Sequence, residues 1–395
     1  MPVFGRQLLT EFPLDPAVTY LNHGTVGVTP RRVLAAQQVL RDEMERQPSR
    51  FLLRELTAPA TSVGLPRTEV PRLRLAAETV AAFLGARGDD LVFVDNTTTG
   101  ANAVLRSFPF EAGDEVLVTD LGYGGVVNAA RYAAREKGAS VRTVTVPYPF
   151  RADAIASAIV DAAGPRTVLA IVDHITAESA LVLPLADIAA RLAERGVAVL
   201  ADGAHAPGAI AVDIPSLGVD WYVGNLHKWM WTPRSSGILW AAPARQSQVQ
   251  PTVISWGLDT DFATSFDMPG TRDPSPHLAA TAAIALFEEW GTSAVQAYNH
   301  GLALAAARHV SARWNTEFDT PDAMIGTMAT VTLPAALGST REDAQRLRDG
   351  LLFDDGIEIP VHAYRDQLRA RISAQVYNDM DDIERLAVAV ARRVR

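Results

Sequence analysis

The run Trp221-Tyr-Val-Gly-Asn-Leu-His227-Lys228-Trp229 ends an apolar stretch with a histidine and a lysine among aromatic side chains. A lone lysine at a strand end could snorkel to solvent. This one has company. Upstream, the apolar stretch Val197–Ala201 ends in Asp202-Gly-Ala-His205, and a carboxylate that closes a buried strand needs a cationic partner. A capping or turn aspartate would look the same in isolation. Earlier still, Asp95-Asn96-Thr97-Thr98-Thr99-Gly100 lies between an apolar run and a helical pattern. There the backbone N–H groups and hydroxyls converge as they do where helix N-termini bind phosphate, although plain capping uses the same residues. In this order the three features supply a phosphate cup, an anchor for a protonated pyridine nitrogen and an amine for a Schiff base. Pyridoxal 5'-phosphate (PLP) calls for those three groups, with the aspartate keeping the ring protonated so that it can absorb the electrons of a substrate carbanion.

Elements of alternating type must position these residues. From about residue 70 to 240, short apolar runs at Leu91–Val94, Glu115–Thr119, Val141–Val146, Val168–Val172, Val197–Ala201, Trp221–Val223 and Gly237–Trp240 read as strands. Helical patterns at Pro71–Ala86, Gly100–Phe108, Gly125–Lys137, Arg151–Ala163 and Pro184–Glu194 separate them. That pattern predicts an α/β fold with a mostly parallel seven-stranded sheet covered on both faces. Ligands of such sheets sit at the carboxyl ends of the strands, where Asp202, Asn225 and the Asn96–Gly100 turn fall. Beyond Pro276, helices His277–Trp290 and Ser293–Trp314 precede a tail with strands Thr327–Leu333, Ile357–Val361 and Leu368–Ser373 and helices Arg341–Phe353 and Asp381–Val394. The division predicted is a large PLP-binding domain over 20–275 and a small α+β C-terminal domain over 276–395, with residues 1–19 packing on it. Thr29 before Pro30 reads as the N-cap of a helix reaching Arg46, and Gln47–Arg67 reads as irregular.

Composition narrows the classes. With 36 Lys and Arg against 45 Asp and Glu and no long basic run, nucleic acid is not an expected partner. No cysteine is present, which removes disulfides, thiolate metal sites and thiol nucleophiles. His174, His205 and His227 fall at strand ends but form no close ligand pair, so no metal site is expected. No run approaches a membrane span and MPVFGRQLLTEF lacks a leader pattern, which makes the cytoplasm the expected location.

The chain resembles the class V aminotransferase family of PLP enzymes, and its isopenicillin N epimerase-like branch in particular. The resemblance rests on Tyr20-Leu-Asn-His-Gly24, Arg50-Phe-Leu-Leu-Arg-Glu55, Leu181-Val-Leu-Pro-Leu185, Asp202-Gly-Ala-His-Ala-Pro-Gly208 and Gly270-Thr-Arg-Asp273. It implies the aspartate-aminotransferase fold type I, with Lys228 carrying the cofactor, Asp202 on the pyridine nitrogen and His205 near the phenolic oxygen. Thr97, Thr98, Thr99, Asn225 and His227 would hold the phosphate, and Tyr123 would stack on the ring. By the same resemblance Thr271 reaches the phosphate of a neighbouring subunit in a homodimer, and Arg371 takes the substrate carboxylate, a group that a guanidinium fork suits. Asn22 and His23 stand in the first of these motifs and are candidate substrate contacts.

The anchors are common to several reactions of an amino acid. Cysteine desulfurases finish with a cysteine thiolate, which this chain lacks. Epimerisation returns the α-proton on the face opposite its removal, so Lys228 needs a partner such as Tyr123 or His23. Elimination of a sulfur leaving group needs only Lys228, and transamination returns the proton to the cofactor. An epimerase or racemase is the leading expectation, with a C–S lyase or aminotransferase as alternatives and a non-catalytic PLP sensor as a distant one.

Overall fold

A computed structural model describes residues 2–57 and 70–394. Its strands in chain order are β1 (Thr19–Tyr20), β2 (Leu91–Val94), β3 (Glu115–Thr119), β4 (Ser140–Val144), β5 (Thr167–Asp173), β6 (Ala198–Gly203), β7 (Trp221–Asn225), β8 (Gly237–Ala241), β9 (Met328–Thr332), β10 (Ile357–Glu358), β11 (Val361–Tyr364) and β12 (Gln367–Ser373). Strands β2 to β8 form one sheet in the order β2-β8-β7-β6-β5-β3-β4. Only β8 runs against its neighbours, pairing antiparallel with β2 and β7. The inner strands are buried along nearly their whole length, which is why they read as unbroken apolar runs rather than alternating ones. At the edge, β4 exposes Ser140, Arg142 and Thr143.

Helices cover both faces. One layer of side chains includes Leu73, Ala77, Ile155, Ile159, Ile188 and Leu192, and the other Ala101, Val104, Leu105, Val126 and Ala130. The helix Thr97–Ser107 lies so close to the sheet that a Cβ on Gly100 would come within 2.8 Å of the Val223 side chain. The three-stranded sheet β11-β12-β9 packs against helices Thr292–Trp314 and Met380–Val394 around a second core of Leu302, Val310, Val331, Ile372, Ile383 and Leu386.

Several expectations change. Ile357–Val361 is two strands, not one: β10 pairs parallel with β1, and β11 pairs antiparallel with β12. Pro360 interrupts the run because it has no N–H to give a ladder, while its carbonyl accepts from Arg371 N–H. Thr29 is not an N-cap; helix Arg31–Arg46 starts from Pro30, and the Thr29 hydroxyl donates to the Thr232 carbonyl. Gln47–Arg67 is not irregular where it is described. It contains helix Pro48–Arg50 and a π-helical turn Phe51–Glu55, stabilised by Arg72 over the Phe51 ring and by Arg50 and Arg72 on the buried Glu55; residues 58–67 of that stretch lie outside the described residues. The N-terminal segment touches more than the C-terminal part: Arg6 bonds Asp382 and Phe12 packs on Trp290 and Tyr377, but Phe12 also packs on Trp231. Among the described residues no helix is long and apolar enough to cross a membrane.

Candidate active site

At the carboxyl ends of β5, β6 and β7 lies a cavity of about 410 Å3, within the range that holds a small-molecule cofactor. Its floor is Asp202, the fifth residue of β6, only 2 % exposed. Oδ1 of Asp202 accepts from Ala204 N–H at 3.0 Å, whereas Oδ2 is buried with no partner. Burial raises the Asp202 carboxyl, and the Ala204 N–H and the Lys228 charge oppose that rise. Gly203, next in the chain, has to be glycine: a Cβ there would sit 2.1 Å from the Tyr222 ring.

Lys228 follows β7 and points into the same cavity, with Nζ 3.2 Å from His205 Nε2. Burial first, then the Arg371 charge, lowers its amine to about 8, while Asp202 pulls the other way. A lysine so placed has about a tenth of its amine neutral at pH 7, far more than an ordinary lysine, and that fraction is nucleophilic. Of the chain's two lysines the other, Lys137, is exposed at a helix end. His205 is buried and held neutral by burial and by the charges of Lys228 and Arg371; its Nδ1 has no partner. The backbone of His227 and Lys228 is pressed against Gly27, whose φ of +67° and absent side chain permit the contact, since a Cβ there would lie 1.9 Å from the His227 carbonyl oxygen.

One wall is the start of helix Thr97–Ser107. Asn96 caps it by accepting from Thr99 N–H, and Asn225 Oδ1 accepts from Thr97 N–H, both at 2.9 Å. Protein side chains therefore already take two of the three threonine N–H groups. Among the described residues the Thr98 N–H has no such acceptor, and the Thr97 hydroxyl is buried without a partner. His227 lies 3.0 Å from the Ser236 carbonyl through Nδ1, and burial holds its imidazole down to about 4. Tyr123, half exposed, enters from beyond the other side of β6, because it follows β3 while Lys228 follows β7. A side chain at Gly125 would collide with the Tyr123 ring at 2.7 Å.

Arg371 is buried on β12, and burial lowers it to about 10. It donates to the Ala177 carbonyl and to the Thr25 hydroxyl, both on the cavity wall. Two expected substrate contacts are elsewhere. Asn22 stands behind Arg371 and Thr25, accepting from each, while its amide donates to Glu358. His23 is fully buried, with Nδ1 2.9 Å from the Tyr377 hydroxyl and Nε2 2.9 Å from the Lys228 carbonyl, so both nitrogens are used and it offers no acid to the cavity. Thr271 is not at this cavity of its own chain either; it lines a separate apolar one with Leu52, Leu53 and Met268.

Asp173 was not foreseen. It closes β5 in register with Asp202 on β6, and burial and then the Asp202 charge raise its carboxyl well above the usual range. The Lys228 charge opposes the rise at Asp202, whereas no cation opposes it at Asp173. The signal was present, since an apolar run ending in aspartate occurs at Asp173 as it does at Asp202. Behind them Tyr222 OH lies 3.1 Å from His174 Nδ1.

The family model for class V aminotransferases matches residues 69–386. The chain belongs to that family. It is 32% identical to the isopenicillin N epimerase of Streptomyces clavuligerus over 98% of this chain and 96% of that protein. It is also 29% identical to an L-cysteine desulfhydrase of Arabidopsis thaliana, over 98% and 92% respectively. In fold it is similar to the cystine C–S lyase C-DES in complex with cysteine persulfide, with a TM-score of 0.76, 22% identity and coverage of 95% and 97%. Class V members are PLP enzymes, and PLP is the cofactor of this chain. The cavity fits it: an unpartnered buried carboxylate oxygen at Asp202 suits a pyridinium N–H, and the free donors at Thr97 and Thr98 suit a phosphate.

Proposed function

We propose that this enzyme epimerises an amino acid or amino-acid derivative at its α-carbon. The observation that carries the reading is that Lys228 and Tyr123 enter one cavity from opposite sides of β6, whose Asp202 is the floor. Bound PLP would supply the electron sink for the α-carbon. In this reading Lys228 holds the cofactor and, once displaced, removes the α-proton on its side. Tyr123 donates a proton on the other. Asp202 stays ionised against the pyridinium, His205 keeps Lys228 aligned, and Thr97, Thr98 and His227 hold the phosphate, with Asn96 and Asn225 fixing the helix start through Thr99 and Thr97. Arg371, already fixed by Thr25 and Ala177, receives the substrate carboxylate. The likeness to isopenicillin N epimerases supports the same choice.

A C–S lyase is the second reading, favoured by the likeness to L-cysteine desulfhydrase. It needs Lys228 on one side and a leaving group, and makes no use of Tyr123. A panel of single enantiomers, incubated with holoenzyme in deuterated water, separates the two. The epimerase reading expects deuterium at the α-carbon and both configurations in recovered substrate. Keto acid, ammonia or sulfide released with configuration unchanged would replace it with the lyase.

A further inference from the structure

Past Tyr123 lies a second cavity of about 410 Å3 that adjoins the first, the two sharing Tyr123 and Ala177 as walls. Its far side is formed by Arg369, His362 and Tyr364. Arg369 and Arg371 are two residues apart on β12 and so face the same way, about 7 Å apart along the strand. Arg371 serves the first cavity and Arg369 the second. His362 is the register partner of Arg369 on β11. Burial, followed by the charges of Arg371 and Arg369, holds the His362 imidazole down to about 4, so it stands there as a neutral donor or acceptor.

Arg369 is 6 % exposed and its Nε has no hydrogen-bond partner. Its guanidinium lies against two rings, 5.4 Å from the centroid of Tyr148 and 5.0 Å from that of Tyr364. Rings offset the charge across a guanidinium face, and the Tyr148 hydroxyl takes one hydrogen bond from Arg369, but the in-plane Nε–H stays unmatched. The carboxylates that line this cavity have other engagements. Asp120 accepts from Val146 N–H at 2.9 Å, beside the Val146 carbonyl that takes Arg365, and the Glu178 charge acts on Arg371. Among the described residues Arg369 forms no ion pair, and a buried cation in a cavity that adjoins the candidate reaction site calls for an anion.

We propose that Arg369 anchors a second carboxylate at the far end of the substrate, making the substrate class amino acids whose side chain ends in a carboxylate. The inference rests on the reading in which Arg371 takes the α-carboxylate, and the separation along β12 sets the scale between the two groups.

The test is calorimetric titration of the PLP-loaded enzyme with adipate and with hexanoate, which match in length and differ by one carboxylate. Neither has an amine, so no α-carbon chemistry enters the readout; failure of the epimerase reading would show separately as absent α-deuteration. Adipate is expected to bind at least about tenfold more tightly than hexanoate. Arg369→Gln should erase that advantage while leaving hexanoate binding unchanged, and Arg371→Gln should weaken both. Equal binding of the two acids, an advantage that survives Arg369→Gln, or an equal loss of hexanoate binding in that variant would overturn the assignment.

Discussion

The amine of Lys228 is held near 8 by burial and Arg371 and is pulled upward by Asp202. The rate at which apoenzyme takes up PLP should therefore rise with pH through an inflection near 8, because the neutral amine is the nucleophile. Arg371→Gln should move that inflection up and Asp202→Asn should move it down; stopped-flow absorbance reads both, and an inflection indifferent to either change would contradict the electrostatics. Asp173 makes a different prediction. Its folded pKa lies above the ordinary value of 3.8, so its contribution to stability is complete below about 3.8 and is lost as pH rises through the folded value. Asp173→Asn, which cannot titrate, should melt progressively higher relative to wild-type apoprotein as pH increases from 4 to 8. A difference that does not vary with pH would place the proton elsewhere. The positions of Lys228, Asp202 and the threonine turn around one cavity were legible because each is a polar residue at the end of an apolar run. His23 misled for the opposite reason: a histidine type suggests chemistry, but only the fold reveals that Tyr377 and the Lys228 carbonyl occupy both of its nitrogens.

Among the elements, the seven strands and their helices could be read closely because two-sided burial makes each inner strand a continuous apolar run. The order of the strands could not. That Lys228 and Tyr123 flank β6 depends on β5 lying between β6 and β3, a non-local pairing with no local signal. Ile357–Val361 failed on a local detail, the missing N–H of Pro360. Close backbone packing, likewise, is visible only in three dimensions. Gly27→Ala adds a Cβ 1.9 Å from the His227 carbonyl oxygen as well as left-handed strain, whereas Gly113→Ala, with φ of +92° and nothing within 4 Å, adds strain alone. Chemical denaturation should give a loss of about 1 kcal/mol for Gly113→Ala and about 3 kcal/mol or more for Gly27→Ala. Gly27→Ala should also release PLP more readily, and equal losses with unchanged PLP retention would mean the contact is not tight.

For the molecule as a whole, Thr271 lies away from its own chain's cavity, and Val253, Ile254, Trp256 and Leu258 expose apolar surface on the preceding segment, Trp256 by 79 %. We infer an isologous homodimer in which Thr271 completes the partner's phosphate site. Mixing Lys228→Ala chains with Thr271→Val chains should then restore tight PLP binding to one site per mixed dimer. If sedimentation finds a monomer, or mixing restores nothing, Thr271 has no such role. All of these roles depend on the cofactor being attached where the cavity implies, and the scarcity of lysine makes that directly measurable. Borohydride reduction of the PLP-loaded enzyme, followed by peptide mapping, should find pyridoxyl label on Lys228 alone; label on Lys137, or on neither lysine, would contradict the account.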